Sequence, residues 1–138
     1  MKAPMVSHVR IISTAVLMIC VFAVMAAATV LRVPSQFDVI QDAVTAASEG
    51  DTVLVAPGTY AGVGNKNIDF GGVNVLVIGE AGADSTIIDC EEGGRGFNFH
   101  SGETHQSVVR GFTIVRGDTW SDEGGGAIRC YQSSPSIR

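Results

Sequence analysis

Basic residues are what this chain most lacks. Beyond residue 28 it has a single lysine, Lys66, and nowhere does it cluster Lys and Arg. Its 138 residues carry fourteen carboxylates against nine Lys and Arg, a formal net charge of −5. Neutralising a phosphate backbone needs clustered cations, so nucleic acid is excluded as a partner. Histidine is as sparse: His100 and His105 have no Cys or second His at metal-ligand spacing and no obvious nucleophile beside them, so they read as hydrogen-bonded loop residues.

Charge is also missing from one long stretch. Lys2, His8 and Arg10 make a mildly basic start, Ile11 to Ala28 carry no charge, and Ala26-Ala27-Ala28 supply small residues for cleavage. Residues 1–28 are therefore expected to be a signal peptide, and the membrane is met only through it. The bulky Ile19 before Cys20 argues against a lipoprotein signal. Export places the product outside the inner membrane: secreted, at the cell surface or in the periplasm. Residues 29–138 remain, enough for one small domain, and all 17 glycines lie there. That abundance suits many tight turns.

Short apolar strands recur between those turns. TVLVAPGTY (52–60), VNVLVIGEAG (73–82), GRGFNFHSGE (94–103) and GGAIRCYQSS (125–134) form one set, with Val53, Val75 and Phe97 spaced 22 and 22 residues apart and Ile128 a further 31 on. A second set runs through 67–70, 86–89, 108–115 and 135–137. Two strand families recurring together predict an all-β parallel solenoid in which each coil buries its apolar face against the next. Before the first coil, Phe37, Ile40, Val44 and Ala47 share one helical face, with Ser35 and Asp38 as a capping box and Gly50 as terminator. A helix over 35–49 is expected to cover the open end of the stack. The last strand has barely begun at Arg138, so the chain is expected to be the N-terminal piece of a longer protein.

Two cysteines, Cys90 and Cys130, stand outside the leader, and an even pair in an exported chain invites a disulfide. The strand sets argue otherwise. Cys130 follows Ile128 on the first and Cys90 follows Ile88 on the second, so both are expected to be buried free thiols on different faces.

IQDAVTAASEGDTVLVAPGTY resembles the opening of the pectin-lyase-like superfamily of right-handed parallel β-helices, and STIIDC, VVRGFTIVRG and GGGAIRCYQSSPSI resemble coils of bacterial right-handed β-helix repeat proteins. The resemblance spans roughly Val33 to Ile137 and implies a right-handed parallel β-helix with an N-terminal capping α-helix. Fold is not function. Pectin methylesterases, which open similarly, carry later motifs that are missing here. Pectate lyases use an acidic calcium cluster with an arginine base, and these residues assemble no such cluster.

Candidate sites are therefore weighed singly. Asp118, Trp120, Asp122 and Glu123, in the loop from Gly117 to Gly126, make the best ligand-binding group. Carboxylates supply oxygen ligands for Ca²⁺, and an exposed indole can stack on a sugar ring. Their spacing matches no defined calcium loop, so a solvated acidic loop is the plainer reading, and neither metal nor cofactor is required. Asp89, Glu91 and Glu92 offer paired carboxylates as in glycosidases, though adjacent carboxylates on a corner are more often just a polar turn, which is the favoured reading. Arg110 and Arg116 read as surface positions.

Two function classes follow. The first is an exported, non-catalytic β-helix segment acting as a structural or adhesive surface, with polysaccharide or another cell-envelope component as partner. The second is the N-terminal part of a polysaccharide lyase, glycoside hydrolase or esterase. Further coils bearing an acidic cluster opposite Arg or Lys would mark the enzyme, and an anchoring domain after more repeats would mark the surface protein.

Overall fold

A computed structural model describes Lys2, residues 27–119 and residues 124–138. Most of the expected leader, and Trp120, Asp122 and Glu123, lie outside the described residues. Strand β1 (Val30–Val33) is followed by helix α1 (Ile40–Ala46), then by β2 (Thr52–Val55), β3 (Gly58–Ala61), β4 (Ile68–Asp69), β5 (Leu76–Gly79) and β6 (Thr86–Asp89). The chain continues through β7 (Phe97–Phe99), β8 (Val108–Arg110), β9 (Thr113–Val115), β10 (Ile128–Cys130) and β11 (Ser136–Ile137).

These strands form three parallel sheets, β1-β2-β5-β8-β11, β3-β6-β9 and β4-β7-β10. From β2 onward the chain visits the three in strict rotation, so each circuit lays one new strand on each sheet. That connectivity is compatible with a β-solenoid. Register follows the apolar alternation. Leu31, Val53, Val77 and Val109 pair in succession across the first sheet, Tyr60, Ile88 and Ile114 across the second, and Ile68, Phe97 and Ile128 across the third. All but Ile114 and Ile128 in these rows are buried. Phe70 fills the middle of the stack, its ring 4.6 Å from Phe99 and 6.4 Å from Phe97, and Phe97 meets Phe112 at 5.6 Å.

The structure corrects the expected strand families. Val53 pairs with Val77 rather than standing in line with Val75, and Phe97 belongs to a different sheet from both. The 22-residue recurrence joined strands of unlike faces. Three short strands per coil look alike in sequence, and turns of varying length shift them in phase. The second set divides in the same way, with Ile68 on the third sheet, 86–89 and 113–115 on the second, and 108–110 and 136–137 on the first.

The helix is where it was expected but shorter. Pro34, joined to Val33 by a cis peptide, opens a turn, and α1 begins only at Ile40 after a Val39 N-cap with no side-chain cap. Ser35 does not cap it. The orphan helix amides are met from a distant turn instead: Asn65 Oδ1 accepts the Ile40 N–H at 3.0 Å and the Gly64 carbonyl accepts the Gln41 N–H at 2.8 Å. Gly64 needs its missing Cβ there, since a methyl would lie 2.7 Å from Val39 Cγ2. Ile40, Ala43 and Val44 are buried where α1 packs against β1, β2 and β4.

Carboxamides finish this end. Arg32 turns its backbone away from β2, where Gln36 Oε1 accepts its N–H at 2.7 Å and its carbonyl accepts the N–H groups of Gln36 and Phe37 at 3.0 and 3.1 Å. Gln41 does the same for β4, taking the Asp69 N–H on Oε1 at 2.8 Å and donating Nε2 to the Asp69 carbonyl at 3.0 Å. Each glutamine thus stands in for a missing neighbouring strand. Both cysteines outside the leader are free; Cys90 is buried, but Cys130 is exposed, because β10 is the outermost strand of its sheet. Among the described residues, no helix is long and apolar enough to cross a membrane.

Candidate functional site

Alternation on the third sheet sends Ile68, Phe97 and Phe99 inward and leaves Asp69, Asn98 and Arg129 on its outer face. Register pairing aligns these three polar residues in one row across β4, β7 and β10. His100, just after β7, sets Nε2 2.9 Å from Asp69 Oδ2, and both side chains are more than a third exposed. At the other end of the row the Arg129 guanidinium lies over the Tyr131 ring, 5.3 Å from its centroid, and Tyr131 is 53% exposed. Among the described residues, Asn98 Oδ1, at the centre, is buried without a hydrogen-bond partner. The face therefore offers a carboxylate, an imidazole, an amide, a guanidinium and an aromatic ring along one line.

The inserted loop springs from the edge of this face, between β9 and β10. Its base is fixed by Asp118 and Gly94, whose backbones exchange hydrogen bonds at 2.8 and 3.0 Å as an antiparallel bridge. Asp118 is exposed. Among the described residues, no group of three or more His, Cys, Asp or Glu is placed to hold a metal ion.

Asp89 and Glu91 are brought together but are not free. Arg116 grips Asp89 with Nε at 2.8 Å and Nη2 at 2.6 Å, and this contact, aided by the Glu91 N–H, holds the Asp89 carboxyl below its ordinary pKa. Lys66 Nζ bonds Glu91 Oε2 at 3.0 Å and, with the Gly62 N–H, lowers that carboxyl likewise. Both acids are locked in the charged form, which suits neither to donate a proton at neutral pH. Asp89 raises the Arg116 pKa in return. Arg110, on β8, is exposed, as is His105.

A cleft of about 350 Å³ opens between α1 and the turn after β4, floored by Val44 and Phe70 and edged by Thr45 and Asp69. Sequence reasoning did not find the Asp69–His100 pair, because its members are 31 residues apart and meet only once the true register is known. It also missed Glu103, which is almost wholly buried. Comparison with family models, curated proteins and solved structures returned no match to this chain.

Proposed function

We propose that the protein is an exported right-handed β-helix of the pectin-lyase-like kind that presents a non-catalytic, carbohydrate-contacting surface. The observation that carries this reading is the outward row of Asp69, Asn98 and Arg129, ended by the exposed Tyr131 ring. Sugars are held by such combinations, an aromatic face against the ring and planar polar groups against hydroxyls. Strands spaced about 4.8 Å apart set those groups at regular intervals along the stack, as an extended polymer would require. The Asp89 and Glu91 carboxylates, held as anions by Arg116 and Lys66, are poorly suited to the general-acid part of a glycosidase pair.

The test is affinity electrophoresis in gels containing pectin, alginate or xylan, run with and without Ca²⁺, beside assays of unsaturated products and reducing ends. Retardation without turnover, relieved by Tyr131→Ala, is the expected result, and Trp120→Ala asks whether the inserted loop contributes. Turnover would instead favour the reading as part of a lyase or glycosidase, and mobility unaffected by all three polymers would sink the surface reading.

A further inference from the structure

Glu103 is 1% exposed, at the corner between β7 and β8. Its Oε1 accepts the Gly72 N–H at 3.0 Å, from the turn after β4, one coil below. Its Oε2 accepts the Ser101 N–H at 3.0 Å within its own turn and the Ser133 hydroxyl at 2.7 Å, from the turn after β10, one coil above. Ser133 Oγ in turn accepts the Gly102 N–H at 3.2 Å, and the Glu103 carbonyl accepts the Ser134 N–H at 2.8 Å. One carboxylate therefore joins three consecutive corners. Among the described residues, no Lys, Arg or His side chain pairs with it.

The strands of the coil above are short. Strand β10 has three residues and β11 two, Ile128 is only half-buried and Ile137 is 47% exposed. We propose that Glu103 is an acid-released clasp, which when ionised ties the β10–β11 coil to the coils beneath and when protonated lets that coil loosen first. Ionised, it receives three charge-assisted bonds, each about twice as strong as its neutral counterpart. Protonation reduces all three. A proton carried on Oε2 would also compete with the Ser133 hydroxyl, whose own proton has the Tyr131 carbonyl within reach at 3.2 Å.

Burial pushes the Glu103 carboxyl up, but the Ser133 hydroxyl and the Ser101 and Gly72 amides outweigh it and hold the group below its ordinary value. The other titratable groups on the elements packed around it are Asp69 with His100, His105, Arg129, Cys130 and Tyr131. Burial first, and then the Glu103 charge, raise the Cys130 thiol. For an acid lowered by folding, the stability it contributes is whole above the unfolded pKa and is lost as pH falls through the folded one.

Hydrogen exchange tests the clasp. The N–H groups of Tyr131, Ser134, Ser136 and Arg138 bond the carbonyls of Phe99, Glu103, Ser107 and Val109, and that of Leu76 bonds Asp51 lower in the stack. Corrected for intrinsic chemistry, protection of the first four should fall below pH ~4.3 by about tenfold per pH unit more steeply than that of Leu76. Glu103→Gln should abolish this difference in pH response. Loss of protection at all five amides together, or an unchanged difference in Glu103→Gln, would overturn the proposal. Should that variant not fold, Ser133→Ala must make the drop smaller and end it at higher pH, since it removes a bond that favours the anion; an unchanged drop would refute the clasp.

Discussion

Replacing Gly79 with alanine should cost this fold far more than a methyl group ordinarily does. Gly79 ends β5, and its φ lies outside the left-handed region, so alanine suits its backbone. The obstacle is space. A Cβ on Gly79 would overlap the carbonyl oxygen of Gly111 in the next coil, with the Gly111 carbon at 2.9 Å and Thr86 Cβ at 3.1 Å. A carbon–oxygen contact relaxes only near ~3.3 Å, so the two coils must part by roughly an ångström at that corner. Backbone cannot yield as a side chain can. Two or three ladder hydrogen bonds would be stretched past usefulness at about 1 kcal/mol each, and overpacking adds about 1–3 kcal/mol. Alanine's smaller unfolded-state entropy returns less than about 1 kcal/mol, leaving a loss of about 3–5 kcal/mol. With a urea m-value of about 1.5 kcal/mol/M, the unfolding midpoint should fall by about 2–3 M. Gly82→Ala is the matched comparison. That glycine sits at φ +86° in open space, so it should lose only the ~1 kcal/mol of left-handed strain. Equal midpoints for the two variants would refute the close approach of Gly79 and Gly111.

Phe97→Ala removes a ring with no exposed surface that touches Phe70 and Phe112, and should lower stability by about 3–5 kcal/mol in the same titration. In native protein a thiol reagent should modify Cys130 quickly and reach buried Cys90 only as the chain unfolds; equal rates would contradict the assigned burial. The pKa of Asp51 is lowered by the Thr29 and Ser48 amides, that of Asp89 chiefly by Arg116 and that of Glu91 chiefly by Lys66. All three are acids held lower in the folded state, so their stabilisation is complete above their unfolded values and disappears as pH drops through the folded ones. The urea midpoint should therefore be level near neutrality and decline below about pH 4, more gently in Asp89→Asn.

The kind of fold was legible, its phase was not. Glycine-punctuated strands such as VLV and FNF announce stacked parallel coils, because each needs its apolar side covered and each ends where a turn must form. Which strand lies on which was hidden, since Val75 and Val77 are equally good inward residues and only the turn lengths choose between them. The helix face from Ile40 to Ala47 was readable from its period. Its start was not, because Ser35 and Asp38 offered a local cap while the acceptors used, Asn65 and Gly64, come from the far side of a coil. The same distance hid the outer row: Asp69, Asn98 and Arg129 are unremarkable polar residues until pairing aligns them. Asp118 is exposed and bridged to Gly94, and the ion pairs of Asp89 and Glu91 could be seen only in three dimensions.

The glutamines that close the first edge have a consequence for how such molecules meet one another. A solenoid whose two ends were alike would be a monomer for a filament, each copy's top seeking the next one's bottom. Here Gln36 and Gln41 already occupy the hydrogen-bonding positions that an incoming strand would need on β1 and β4, and among the described residues no side-chain amide does this for β9, β10 or β11. The stack is thus closed to further strands at the end that α1 covers. Two carboxamides give a repeating architecture a fixed origin.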